Sequence, residues 1–65
     1  MKVIVNDEEV QIDDQTTVEG LLAQLGISGK GIAVALDWTV IPRSRWDTTI
    51  SDGARIEVVT AVQGG

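Results

Sequence analysis

Apolar positions recur along this chain in two periods, and each change of period marks an element. Val3 and Val5 share one face of a first strand with Ile4 opposite, and Val10 and Ile12 repeat the alternation after the turn-like Asn6-Asp7-Glu8. This predicts a hairpin. Val18, Leu21, Leu22 and Leu25 then fall at i, i+3, i+4 and i+7, one stripe of a short helix. Thr16 with Glu19 has capping-box spacing, Thr17 serves equally as the N-cap, and Gly26 is placed for a left-handed stop. Gly20 inside this helix costs up to about 1 kcal/mol relative to Ala, which predicts either a close packing contact or a weak first turn.

Beyond the helix, Ser28-Gly29-Lys30-Gly31 reads as a flexible connection, and alternation returns at Ile32-Ala33-Val34-Ala35-Leu36, a third strand. Asp37-Trp38-Thr39 reads as a turn, Val40-Ile41 as a short strand that Pro42 confines to an edge or an end, and Asp52-Gly53 as a turn into the last strand. That strand runs from Arg55 to about Val62, with Ile56, Val58, Thr60 and Val62 on its core face. Helix and strands each have one apolar side, so the helix must lie across one face of the sheet. A right-handed crossover places a later strand parallel to the first and central. The expected architecture is α+β: a ββαββ mixed sheet packed on one main helix, the β-grasp or ubiquitin-like fold.

Size and composition limit what such a fold can do. Sixty-five residues make one domain, 1–65, near the lower limit for folding without a staple. With no Cys, disulfides, thiolate metal sites and thiol nucleophiles are all excluded. The apolar start is too short for a signal peptide and no run approaches the roughly 20 residues of a membrane span, so a soluble cytoplasmic protein is expected. The net charge of −5 is unevenly spread: residues 1–29 hold six acids against Lys2, whereas residues 30–65 are balanced. This reads as a solvated face, with docking on basic partners as the alternative. It argues against nucleic acid as a partner, because phosphate binding needs clustered Lys and Arg and usually exposed aromatics for stacking.

Candidate chemistry is sparse. His is absent as well as Cys, and no pair of carboxylates stands out for acid–base work, which argues against an enzyme. Asp13-Asp14 has no further oxygen ligands at loop spacing, so a helix-preceding loop explains it better than a metal site. Trp46, beside Arg43 and Arg45, reads as packing against the sheet with its arginines solvated, a docking patch being the other reading. Trp38, in a turn, is expected to be exposed and is the better candidate for a partner contact. The last residues, Val62-Gln63-Gly64-Gly65, stand apart. Two residues without Cβ can lie in a channel too narrow for other side chains and present the Gly65 carboxylate unhindered to a partner's active site. A frayed terminus is the plain alternative.

These features together resemble the ThiS family, the sulfur carriers of thiamine thiazole biosynthesis. The resemblance covers essentially all 65 residues. It is carried by Val3-Ile4-Val5-Asn6, by Thr17-Val18 with Leu21-Leu22, and by Ala33-Val34-Ala35-Leu36 followed by Val40-Ile41-Pro42-Arg43 and Trp46. Asp52-Gly53 with Ile56-Glu57-Val58, and Val62 to Gly65, complete it. Asp37 and Ala54 depart from the family pattern, which often has Asn and an acid there. The resemblance implies a carrier that binds no cofactor of its own. A ThiF-like adenylyltransferase would use ATP and Mg²⁺ to adenylate the Gly65 carboxylate. A persulfide derived from a cysteine desulfurase would convert it to a thiocarboxylate, and a ThiG-like thiazole synthase would take the sulfur. Gly65 would be the reacting group, with Gly64, Gln63, Val62 and Trp38 as partner contacts. A molybdopterin-synthase small subunit, a protein modifier and a non-catalytic ubiquitin-like interaction module remain as alternatives. The short chain and the Ile-Pro-Arg block with Trp46 weigh against the first of these.

Overall fold

The computed structural model describes residues 1–60. The predicted first hairpin forms as β1 (Lys2–Val5) and β2 (Glu8–Gln11), paired antiparallel with Val3 opposite Val10 and Val5 opposite Glu8. Asn6 and Asp7 between them both have positive φ, 49° and 72°. Such a two-residue turn matches the right-handed twist of the strands, and Asn and Asp tolerate the left-handed conformation better than other side chains.

The helix α1 spans Val18–Gln24. Of the two candidate caps, Thr17 is the one used: its hydroxyl accepts the Gly20 N–H at 3.0 Å, while the Thr16 hydroxyl accepts the Asp13 N–H. Gly20 makes its close contact with this cap, since a Cβ there would lie 3.3 Å from the Thr17 Oγ1. The other free N–H groups at the start of α1 meet a passing loop, with Val18 donating to the Thr48 carbonyl and Glu19 to that of Trp46. At the far end, the Gly26 N–H bonds to the Ala23 carbonyl and the Ile27 N–H to that of Leu22, around Gly26 at φ 72°. This stop corrects the expected stripe. Val18, Leu21 and Leu22 are buried, but Leu25 is 37% exposed, and Ile27, returned by the left-handed glycine, packs on the core in its place.

After the helix come β3 (Ile32–Leu36), β4 (Thr39–Ile41), a single 3-10 turn at Arg43–Arg45 that the periodicity does not reveal, and β5 (Arg55–Thr60). The sheet order is β2-β1-β5-β3-β4. β5 lies centrally, parallel to β1 and antiparallel to β3, and β4 with its following Pro42 lies at an edge, all as expected. The portion of the last strand predicted beyond Thr60 lies outside the described residues. On the helix side, Val3, Val5, Val34 and Ile56 from the sheet, Val18, Leu21 and Leu22 from α1, and Ile50 from the loop before β5 lie at the heart of the core.

β1 touches β5 over only a short register, Ile4 with Arg55 and Val5 with Ile56, before its chain turns away. Asn6 extends it with a side chain. Its amide oxygen accepts the Val58 N–H at 2.9 Å and its amide nitrogen donates to the Val58 carbonyl at 3.1 Å, so a primary amide stands in for the next residue of a strand. Replacing Asn6 by Ala removes both bonds, at about 0.5–1.5 kcal/mol each, and leaves a Cβ residue strained at positive φ by roughly 1 kcal/mol. Asn6→Ala should therefore lose about 2–3 kcal/mol in urea unfolding and Asn6→Gly about 1 kcal/mol less, since only the hydrogen bonds are then lost.

Candidate functional site

The two hairpin tips lie beside the start of β5, and Arg55 joins them. Its guanidinium bonds to the Asp7 carboxylate at 2.8 Å, approaches Glu57 at 3.6 Å, and lies 5.3 Å from the centroid of the Trp38 ring. The hydrogen bond to Asp7, with Glu57 adding to it, raises the pKa of Arg55 above its ordinary value. Asp37 completes the arrangement by accepting the Arg55 N–H at 2.9 Å. Trp38 is exposed, as its turn position predicts, and its hairpin repeats the geometry of the first, with Asp37 and Trp38 at φ 49° and 71°. Arg55 carries no motif, and only the pairing of β5 with β1 and β3 brings Asp7, Trp38 and Arg55 together.

The sheet face turned away from α1 carries Ile4, Arg55, Glu57, Val59, Ala33, Ala35 and Val40, because these residues alternate with the buried ones. Val40 and Val59 are 68% and 55% exposed. β5 runs along the middle of this face from Arg55 to Thr60, which pairs with Ile32, so the chain leaves the described structure from a central strand. Val62, Gln63, Gly64 and Gly65 lie outside the described residues. Asp13 and Asp14 are exposed in the loop before α1, and among the described residues no group of three or more acids is arranged to hold a metal ion.

Trp46 is buried, and its indole N–H donates to the Ile41 carbonyl at 3.0 Å. Its neighbouring arginines, Arg43 and Arg45, are exposed as expected, and Arg43 in addition lies 4.8 Å from the Trp46 ring centroid and donates to the Gly29 carbonyl. The loop at Ser28–Gly31, read as flexible, is likewise held at Gly29, where a Cβ would stand 3.1 Å from Trp46 Cζ3 and 3.4 Å from Arg43 Nη1. A groove of about 420 Å³ opens here between α1 and the 3-10 turn, bordered by Leu22, Ala23, Ile27, Arg43 and Trp46. No helix among the described residues is long and apolar enough to cross a membrane.

A five-stranded mixed sheet that grips one helix and keeps its last strand central defines a β-grasp protein of the ubiquitin-like type. The comparisons narrow the class. The model of the ThiS family matches residues 2–65. The chain is 32% identical over 66 aligned positions to the sulfur carrier protein ThiS of Escherichia coli, covering 100% of both. It is 33% identical over 66 positions to a thiazole synthase of Paramagnetospirillum magneticum, spanning all of this chain but only 20% of that protein's length. Among solved structures, the crystal structure of thiamine biosynthesis protein ThiS from Geobacter metallireducens superposes with a TM-score of 0.85 at 29% identity over 100% of both chains. A solution structure of a thiamine biosynthesis protein from the same organism gives 0.75 at 29% identity, over 100% of this chain and 88% of that one. The chain belongs to the ThiS family.

Gly29 tests the packing beside Trp46. Stiffening the unfolded chain with Ala gains about 0.4–1 kcal/mol, but forcing a methyl against a buried, hydrogen-bonded indole costs about 1–3 kcal/mol. The second effect wins, so Gly29→Ala should lower stability by about 1 kcal/mol, a fall in melting temperature of roughly 4–8 °C in a domain of this size.

Proposed function

We propose that this protein is a sulfur carrier for thiamine thiazole biosynthesis, a single domain over residues 1–65 whose working group is the Gly65 carboxylate. The observation that carries this reading is the family match, which runs through Gly64 and Gly65. A carboxylate is a poor acyl donor, so a ThiF-like adenylyltransferase would use ATP and Mg²⁺ to form the acyl-adenylate of Gly65 and release pyrophosphate. The terminal sulfur of a persulfide derived from a cysteine desulfurase would attack that carbonyl and expel AMP. A thiol would then cleave the resulting acyl disulfide, leaving the thiocarboxylate on Gly65 and a disulfide on the donor side. Transfer of the sulfur to a thiazole synthase would return the carboxylate. That a thiazole synthase of Paramagnetospirillum magneticum contains a stretch resembling this whole chain supports such an enzyme as the acceptor.

The carrier contributes presentation and performs no chemistry alone. Five residues follow Thr60, and at about 3.3 Å per extended residue they reach at most roughly 17 Å into a partner. Val62, Gln63 and Gly64 would line the channel as contacts, with ATP and Mg²⁺ held entirely by the partner. The absence of Cys removes any side-chain thiol that would capture the activated terminus as a thioester. The cytoplasm, where thiols stay reduced, is the compartment this chemistry requires.

Incubating the protein with its ThiF-like partner, ATP, Mg²⁺, a cysteine desulfurase and cysteine should give an intact mass increased by the replacement of one oxygen by sulfur. The gain should be absent when Gly65 is deleted. No gain with a partner proven active on another carrier would overturn the reading. Gly64→Val should leave the melting temperature unchanged yet abolish ATP–pyrophosphate exchange, because a β-branched side chain does not fit a channel shaped for glycine. Normal exchange by that variant would refute the narrow channel.

A further inference from the structure

The groove between α1 and the 3-10 turn has an apolar floor and a charged rim. Leu22 and Trp46 are buried beneath it and Ile27 half-buried, whereas Glu19, Ala23 and Arg43 border it from exposed positions. Arg43 is held in place there. Its guanidinium lies 4.8 Å from the Trp46 ring centroid and donates to the Gly29 carbonyl, and a Cβ at Gly29 would stand 3.4 Å from its Nη1. An exposed arginine ordinarily loses rotamer freedom when it binds; this one is ordered in advance, and its planar fork has further N–H donors to offer. The charge pattern marks the same place. Of the chain's five basic side chains, Lys2 pairs with Glu9, and Arg55 with Asp7 and Glu57. Lys30, Arg43 and Arg45 have no ion-pair partner among the described residues, and all belong to the segments that meet here: Lys30 follows Gly29, and Arg45 shares the 3-10 turn with Arg43. Glu19 on the α1 rim and Asp47 next to Trp46 in the chain pair with none of them.

We propose that this groove docks a segment of a partner protein in which an acidic residue stands beside a large apolar one. The apolar side chain would lie on Trp46 and Leu22, and the carboxylate would meet the oriented guanidinium of Arg43. Size and shape favour a segment over a free small molecule. The volume of about 420 Å³ lies in the range of ligand pockets, roughly 300–1,000 Å³, but the exposed rim lets the groove cover one side of an occupant without enclosing it. A second copy of the chain is a poorer occupant. Asp37-Trp38 is an exposed acid beside an exposed indole, yet seating it in the groove of another molecule joins unlike surfaces, a heterologous contact that propagates unless it closes into a ring. Each such contact would also bring together two molecules of net charge −5. No bordering residue belongs to β5, so the inference stands apart from the carrier reading.

The test titrates the isotope-labelled full chain with an N-acetylated, C-amidated tripeptide of Phe, Asp and Leu, and with its neutral counterpart in which Asn replaces Asp. NMR signals report the site. We expect the Trp46 indole N–H and the amides of Ala23 and Gly29 to shift on saturable binding in the millimolar range or tighter. The Asp peptide should bind about threefold more tightly than the Asn peptide, the size of an exposed ion pair. Arg43→Gln should erase that preference, and Arg43→Lys, which keeps the charge but loses the fork, should fall between. Glu19→Gln should raise affinity for the Asp peptide by removing a like charge from the rim; it leaves the Arg43 contacts in place and carries the test should Arg43→Gln fail to fold. No shift at these three positions, equal affinity for the two peptides, or weaker binding by Glu19→Gln overturns the proposal. So does phenylacetate binding as tightly as the Asp peptide, which would assign the groove to a free carboxylate. Self-association of the wild type that Trp38→Gly abolishes would assign it to a second copy.

Discussion

The short parallel register between β1 and β5 is the contact on which this fold depends. The β1–β2 hairpin and the β3–β4–β5 antiparallel unit are each closed by nearer connections, and among the described residues of the sheet only the β1–β5 pairing joins them. It brings together residues about fifty positions apart, so its hydrogen bonds form against a large loop-closure entropy. Two things offset that cost. Val3, Val5 and Ile56 are buried beneath α1, so the register is fixed by the face each strand must turn to the helix. Asn6 then continues the ladder to Val58 after β1 has run out of backbone. The sheet centre is thus stabilised by one side chain in a hairpin turn whose conformation also requires a residue tolerant of positive φ.

Much of this was legible in the sequence because it rests on periodicity. Alternation placed β1, β3 and β5, the i, i+3, i+4 stripe placed α1, and the single apolar side of each element then forced the helix onto one sheet face. What stayed hidden has no period. Ile50 is fully buried within the polar run Asp47 to Gly53, because its own N–H bonds to the Thr16 carbonyl and draws the segment against the start of α1. Gly29 looks like one more flexible glycine until Trp46 and Arg43 are seen closing on it from 14 or more positions away. Leu25 kept the helical spacing but lost its burial, since the left-handed stop at Gly26 turned the chain and gave its place to Ile27. Each difference arises where a long-range contact overrides a local pattern.

The candidate site divides along the same line. Trp38 could be singled out because an indole in a turn is conspicuous, whereas Arg55 could not, because its role comes from strands that meet only in the folded sheet. Both hairpins use left-handed residues, yet they are compensated unequally. Asn6 gains two hydrogen bonds to β5, Asp7 an ion pair with Arg55, and Asp37 the Arg55 N–H, whereas Trp38 gains a cation–π contact with Arg55 at an exposed site, worth about 0.5–1 kcal/mol. At the first three positions a hydrogen bond or ion pair to β5 offsets the left-handed backbone, whereas at Trp38 the offset is a contact with a cation.

A carrier that offers its chain end to an enzyme must resist the force of that capture. Had the last strand been at an edge, tension on the residues beyond Thr60 would peel one row of hydrogen bonds at a time from a single neighbour. β5 instead has β1 on one side and β3 on the other, and its Ile56 lies fully buried under α1. Displacing it would mean opening both ladders and the core together, an event close in free energy to global unfolding. The central position of the last strand therefore does two things at once: it closes the fold, and it gives whatever follows Thr60 a fixed origin. On the proposed carrier reading, that fixed origin would let the domain present a single carboxylate with useful precision to its partners.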